Sequence, residues 1–195
     1  MWNGVSIVQK PTGELLTLAK LKSRLRVDHD DDDDLLTDLL KGAIARIDGP
    51  NGIGFAMMEQ AWRKSMDAFP HTIILPGAPI KSVTSITYVD PAGEQQTLDH
   101  DAYRVDVDCE PVRIVPAVGK FWPATHHVIG AVKVNYVLGE VDAANVAPDL
   151  IDAVCLLVGH RYENREAVNV GNIVSEFPLG FEAIVAEHRR GKVLA

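Results

Sequence analysis

The chain has few of the residues that mark a secreted, membrane-spanning or disulfide-stabilised protein. It contains only two cysteines, Cys109 and Cys155, which are too few for a disulfide framework. No stretch approaches the roughly 20 consecutive apolar residues of a membrane-spanning helix. The opening residues, Met1–Val5, have neither the basic nor the apolar segment of a secretory signal. We therefore expect a protein that folds in a reducing cytoplasm and has no membrane partner.

Positive charge is also scarce. The chain has 19 Lys and Arg against 27 Asp and Glu, which gives a net charge of −8 and a pI near 5.3. This balance argues against a protein that holds nucleic acid by its phosphates. A basic groove with interleaved aromatic residues is not expected either, because the basic residues of the first helix are too few and too mixed with acidic ones; they are Lys20, Lys22, Arg24 and Arg26.

Catalytic motifs are absent from the sequence. It contains no Gly-x-Ser-x-Gly elbow, phosphate-binding glycine loop or His-Glu-x-x-His helix. The run Asp28–Asp34 lacks the glycine and the bidentate glutamate of a calcium loop, and His160 with Glu163 is only half of a di-metal arrangement. We predict no catalytic residue, metal or cofactor, and expect the aspartates to cap a helix. A metal-dependent enzyme using these residues is the less favoured alternative.

Apolar residues recur at helical spacing in the first part of the chain, over residues 17–48. Thr17 is the predicted N-cap of a first helix, and a second helix is predicted to begin within Asp30–Asp34. Gly49-Pro50-Asn51-Gly52 is predicted to end it. Helical spacing returns over 148–167 and 178–190, with Pro148 and Pro178 at the first helical positions.

The middle of the chain, about residues 58–139, has the period of strands with turn residues between them. The clearest strand is Val128–Leu138, in which apolar and polar residues alternate. We therefore predict an α+β fold, a four-helix bundle with an inserted antiparallel β unit of several short strands. The expected divisions are N-terminal helices (1–57), the β unit (58–140) and C-terminal helices with a docking tail (141–195).

Several segments, in order along nearly the whole chain, resemble the head–tail connector (adaptor) proteins of long-tailed phages, prophages and gene transfer agents. One departure from the family pattern is the glycine-rich loop Asp48–Gly54, which replaces the end of a longer helix. The segments that carry the resemblance are Leu16–Lys22, Leu25–Asp28, Leu35–Leu40, Trp62-Arg63, Leu75–Asp90, Tyr103–Val105 and Leu156–Glu166.

The resemblance implies a structural virion-assembly protein, made in the bacterial cytoplasm, that forms a ring of twelve subunits beneath the portal protein. A tail-side connector or stopper protein would lie on the other side of the ring. Double-stranded DNA would pass through it without specific binding, because an acidic wall repels phosphates. A head-closure or tail-terminator protein of the same particle is the alternative.

Two groups of residues are candidate contact sites. The C-terminal segment is basic in an acidic protein and can leave helix geometry at Gly191, so it could add to the sheet edge of a partner. The resemblance also implies that this segment reaches the portal. The portal-binding candidates are His188, Arg189, Arg190, Lys192, Val193 and Leu194, and the inter-subunit candidates are Arg161, Glu163, Arg165 and Glu166.

Overall fold

The computed structural model of the protein describes residues 4–164 and 179–190, which form a mixed α+β fold. None of the helices in these ranges is long and apolar enough to cross a membrane. The helices are α1 (Leu18–Leu25), α2 (Asp33–Ile47), α3 (Pro148–Glu163) and α4 (Leu179–His188). The strands are β1 (Val5–Gln9), β2 (Gln60–Met66), β3 (Ile73–Leu75), β4 (Ile80–Val89), β5 (Gln95–Thr97), β6 (Tyr103–Asp106), β7 (Val112–Pro116) and β8 (Val132–Leu138).

The predicted helix boundaries are largely confirmed. The Thr17 hydroxyl accepts a hydrogen bond from the Lys20 amide at 3.3 Å, which caps α1. Helix α2 begins inside the aspartate run and ends before Gly49, and α3 begins at Pro148. The described part of α3 ends at Glu163, and Asn164 caps it; the predicted continuation to 167 and the predicted start at Pro178 lie outside the described residues.

The strands form two antiparallel sheets. The larger has the order β1-β2-β8-β4-β5 and the smaller the order β3-β7-β6. In β8 the predicted alternation is confirmed, since Val132, Val134, Tyr136 and Leu138 are all buried. The prediction that this strand starts at Val128 was wrong, because Val128 and Ile129 belong to an exposed loop. Strand β1 was not predicted.

Buried apolar residues form two separate clusters. One is supplied by the four helices and their flanking loops, with members before residue 59 and after residue 142. The other is supplied by the strands and contains Trp62, Ile86 and Tyr136. The segments on either side of the strands therefore pack against each other, and the fold depends on a junction that joins the two clusters.

A chain of buried and partly buried hydrogen bonds forms this junction. The partly buried Asp48 carboxylate, just after α2, accepts the Met57 amide at 2.7 Å and the Gln60 side-chain amide at 2.9 Å. The oxygen of the Gln60 side chain accepts the indole N–H of Trp62 at 2.8 Å. The intervening loop turns tightly: a side chain at Gly52 would place its Cβ 2.1 Å from the Ile47 carbonyl oxygen. This loop is the departure from the family pattern noted in the sequence.

We predict that Asp48 makes stability depend on pH. Burial raises the pKa of Asp48, although its hydrogen bonds to Met57 and Gln60 act in the opposite direction. The unfolded chain therefore loses this proton at a lower pH than the folded protein does. The contribution of Asp48 to the free energy of unfolding is fully present below its unfolded pKa and falls as pH rises through the raised folded pKa.

Urea titrations between pH 4 and pH 8 would test this prediction. The slope of the free energy of unfolding against pH contains a contribution from Asp48. Asp48→Asn should remove that contribution, because asparagine does not titrate. The exposed Asp31→Asn variant serves as the control and should retain the wild-type slope. Equal slopes for Asp48→Asn and the wild type would contradict the assignment.

Candidate assembly surface at the ends of α3 and α4

Helix α4 is held by an apolar face. Phe181 and Val185 are buried in the helical cluster, and Ile184 packs against it. They lie within the segment 178–190 for which the sequence predicted a helix, and the described residues of that segment include the helix Leu179–His188. Helix α4 packs mainly on α3, and this packing fixes the position of the C-terminal end of α4.

His188, the last residue of α4, contacts other residues of the same chain. Its Nε2 lies 2.6 Å from a carboxylate oxygen of Asp149, at the start of α3, and its ring meets that of Phe55 edge-on at 5.8 Å. Burial acts to raise the pKa of Asp149, but the hydrogen bond and charge of His188 outweigh it, so this pKa lies below its ordinary value. His188 therefore positions the end of α4 within the chain.

Arg190 connects three segments where the described chain ends. Its backbone N–H donates to the Ile53 carbonyl at 2.7 Å, and its side chain forms an ion pair with Glu110 of the β6–β7 turn. One guanidinium nitrogen also donates to the Glu187 carbonyl at 3.0 Å. By contrast, the side chain of Arg189 is exposed. The remaining candidates of this segment, Lys192, Val193 and Leu194, lie outside the described residues.

We predict that the contact between Asp149 and His188 stabilises the docking of α4. Because the pKa of Asp149 is depressed by folding, its contribution is present above the unfolded carboxyl pKa and is lost as pH falls through the folded value. Asp149→Asn should speed amide exchange in α4 at pH 7 by at least about threefold, a figure that allows for partial exposure of the pair. Glu182→Gln, an exposed change on α4, should leave exchange within error of the wild type. Exchange by mass spectrometry would measure both.

The end of α3 carries the inter-subunit candidates. Arg161 and Glu163 are both exposed there, and the guanidinium of Arg161 lies beside Gly42 of α2. Tyr162, between them, turns inward, and its hydroxyl donates to the Asp32 carboxylate at 2.6 Å. The other two candidates, Arg165 and Glu166, lie outside the described residues. Arg161 and Glu163 are thus presented on a helix end that is fixed to the start of α2.

The aspartates of the run Asp28–Asp34 bond to other side chains more than to the backbone amides of α2. Asp30 and Asp33 contact the Lys22 ammonium at 2.5 and 2.6 Å, and these bonds raise the pKa of Lys22. Asp32 stands at the N-cap of α2 but makes no capping bond with its side chain. The expected role as a capping carboxylate was therefore wrong for Asp32, whose carboxylate accepts the Tyr162 hydroxyl instead.

We predict that Tyr162→Phe lowers the free energy of unfolding by about 1 kcal/mol, because it removes the hydroxyl that donates to Asp32. The ring would remain packed at the helical cluster. Chemical denaturation would measure the change, with Asp31→Asn as a control expected near zero. A loss below about 0.3 kcal/mol for Tyr162→Phe would show that the bond contributes nothing net.

The described residues contain no cluster of three or more His, Cys, Asp or Glu side chains suited to a metal ion. A cavity of about 670 Å³ beside α1, α3 and α4 is lined by Cys155, His160 and Glu163 among others. Burial raises the pKa of the Cys155 thiol, with the nearby Arg24 acting against it. A thiol whose pKa is raised is a poor nucleophile at neutral pH, so the cavity does not supply nucleophilic chemistry through this residue. Cys155 is a buried free cysteine.

Charged helix ends are thus fixed by intrachain contacts on a scaffold that has two apolar cores. The family model described as "Phage gp6-like head-tail connector protein" matches residues 15–75 and 125–189. The chain belongs to this head–tail connector family, as the sequence resemblance implied, and is a structural connector subunit of a virion. A comparison with curated proteins found no match.

Solved structures of gene transfer agent (GTA) particles contain chains that are similar to this one, which supports the family assignment. A chain from the neck of an empty GTA particle, computed with C6 symmetry, is 27% identical with a TM-score of 0.76; the match covers 98% of this chain and 97% of that one. A chain from the virion of a native GTA particle is 25% identical with the same TM-score and coverage. A chain from a native GTA neck computed with C12 symmetry is 26% identical with a TM-score of 0.65, over 97% and 98% of the two chains.

Proposed function

We propose that the protein assembles as a ring of twelve subunits beneath the portal of a phage-like or gene-transfer-agent particle. The observation that carries this proposal is the match over nearly the full length of both chains to proteins of GTA necks, one of them computed with C12 symmetry. The role is structural and needs no catalytic residue. A tail-side connector or stopper protein would bind the opposite side of the ring.

The scaffold we propose for this role is a four-helix bundle into which the β unit, residues 58–140, is inserted. Support comes from the shared apolar cluster of α1 to α4 and from the close packing of α3 against both α2 and α4. The net charge of −8 fits a ring through which DNA passes without being held, because like charges repel.

The portal-docking arm in this proposal is the C-terminal segment that starts at Arg189. His188 and Arg190 set the place and direction from which it leaves, through Asp149, Ile53 and Glu110. Arg189 would contact the portal directly, and so would Lys192, Val193 and Leu194. A basic segment suits an acidic partner surface, and its backbone can add to a sheet edge.

Deleting residues 191–195 tests the docking arm. Because the deletion spares Arg190 and its contacts, we expect a folded protein whose α4 amides exchange as in the wild type. It should fail to join portal-bearing capsids, measured by sedimenting capsids with purified protein and by counting tailed particles. An otherwise full-length Val141→Ser variant, changed at an exposed site far from the tail in sequence, is the control and should join normally. Normal loading of the truncated protein would overturn the assignment.

A further inference from the structure

The loop between β7 and β8, residues 117–131, displays large apolar side chains to solvent. Val118, Phe121 and Ile129 are 88%, 90% and 91% exposed. Single exposed apolar residues are ordinary on protein surfaces, but three nearly bare ones in one loop indicate a contact surface. We refer to residues 117–131 as the apolar loop.

The apolar loop is bonded to the ends of both sheets. On the smaller sheet, the Ala117 amide donates to the carbonyl of Ala102, just before β6, at 2.9 Å. On the larger sheet, the His126 amide donates to the carbonyl of Val89, the last residue of β4, also at 2.9 Å. The exposed side chains are therefore presented in a defined position, which lowers the entropy lost on binding.

The helices lie at the other end of the same strands. Strand β8 starts where Val132 pairs with Met66 of β2, and it ends at Leu138, which pairs with Gln60. Gln60 is the residue that bonds to Asp48, just after α2. Because β8 has seven residues, its two ends lie about 20 Å apart. The apolar loop is thus at the end of the β unit that is far from the helical cluster.

The C-terminal segment leaves the molecule from the helical end. Its first anchors are the contacts of Arg190 with Ile53 and Glu110. Glu110 belongs to the turn between β6 and β7, and β7 then runs from Val112 to Pro116 into the apolar loop. Strand β7 therefore has the anchor of the C-terminal segment at one end and the apolar loop at the other. The two candidate contact surfaces lie at opposite ends of the β unit.

The apolar loop is also cationic. Residues 111–139, which include it, contain no acidic residue and carry Arg113, Lys120 and Lys133, in a protein whose net charge is −8. Lys120 is exposed and is next in sequence to Phe121. Charge complementarity therefore favours a partner surface in which carboxylates surround an apolar centre.

We propose that the apolar loops of the ring form the docking surface for the tail-side connector or stopper protein. The inference rests on the proposed ring and docking arm, and it adds the surface that meets the tail-side neighbour. With the C-terminal segment bound to the portal, the opposite end of each copy points away from the portal. Rotation about the ring axis keeps every loop at the same height, so all the loops face one neighbour. Their contacts, weak in each copy, then act together.

Charge and apolar exposure argue against other positions for the loop. A cationic loop inside the channel would bind phosphates and oppose the passage of DNA. A loop on the outer surface would leave Phe121 and Ile129 bare in the finished particle. Two neighbouring loops would bring cations together, so copies of the loop are poor partners for one another. The partner that fits is a tail-side surface with an apolar pocket for Phe121 and carboxylates at its rim.

Assembly on capsids tests this contact. The double variant Phe121→Ser, Ile129→Ser should fold, because both side chains are nearly bare. It should join portal-bearing capsids as the wild type does, but the number of tailed particles should fall by at least about tenfold. Val141→Ser, which changes a side chain 74% exposed beyond the other end of β8, is the matched control and should give the wild-type number. Normal numbers of tailed particles from the double variant would overturn the proposal.

Photo-crosslinking identifies the neighbour of the apolar loop. Full-length protein with p-benzoylphenylalanine in place of Phe121 is produced in cells that make the particle, and purified tailed particles are irradiated. We expect adducts with a protein that is absent from portal-bearing capsids that have not assembled a neck. Adducts with the portal or a capsid protein, with a second copy of this chain or with DNA would overturn the proposal. So would a yield no higher than that of the same probe in place of Val141.

A charge reversal gives a second readout on the same adducts. Lys120→Glu should reduce their yield by about fivefold, because it places a carboxylate against an acidic partner. Lys20→Glu, the same change at an exposed position of α1, should leave the yield unchanged. Equal yields for the two variants would contradict the charge complementarity of this contact.

The capsid assay separates this inference from the proposed function. If the wild type itself failed to join portal-bearing capsids, the proposed ring would be wrong. If the wild type and the double variant both joined them and gave equal numbers of tailed particles, the ring would stand and the tail-side role of the apolar loop would fail. Failure of the double variant alone to join would place the loop at the portal and also overturn this inference.

Discussion

The hydrogen bonds that run from Asp48 through Gln60 to Trp62 connect the helical part of this molecule to its sheets. Asp48 follows the last turn of α2, whereas Trp62 is the largest side chain in the core of the β unit. Because Gln60 is 2% exposed, its amide must be satisfied inside the protein, and it is bonded at both ends. The orientation of the helices relative to the sheets, and so the spacing of the surfaces on each, depends on this short polar path.

The same junction supports the C-terminal end of the described chain. The loop after Asp48 supplies Phe55 for the ring of His188 and the Ile53 carbonyl for the Arg190 amide. Glu110, from the β unit, completes the site. The position from which the chain continues is therefore fixed relative to both apolar cores. A docking arm benefits from such anchoring, because less conformational freedom is lost when it binds.

Much of the fold could be predicted from the sequence because the signals were local. Thr17 and Pro148 mark helix starts by their own chemistry, and β8 alternates because one face is buried. Strand β1 gave no such signal, because most of its residues are exposed and neither face of the strand is buried. Val128 and Ile129 were assigned to a strand because they are apolar, but both are exposed and precede the start of β8 at Val132.

The candidate sites were harder to predict because their partners are distant in sequence. Tyr162 meets Asp32 across 130 residues, and Arg190 meets Ile53 and Glu110. Composition and the family resemblance suggested that the basic residues near the C-terminus face a partner. The structure divides them: His188 and Arg190 contact the chain itself, and Arg189 is exposed. Only tertiary contacts could separate these roles.

The split helical core also sets the order in which the protein can fold as it leaves the ribosome. The eight strands found in the described residues are all synthesised before α3 emerges, so the sheets can form while the helical core is incomplete. Helices α1 and α2 have 8 and 15 residues, and helices of this length are marginal in water without a packing partner. They gain that partner when Val154, Leu157 and their neighbours arrive. The end of α3, which carries Arg161 and Glu163, therefore gains its packing partners in the helical core only after the strands have been synthesised.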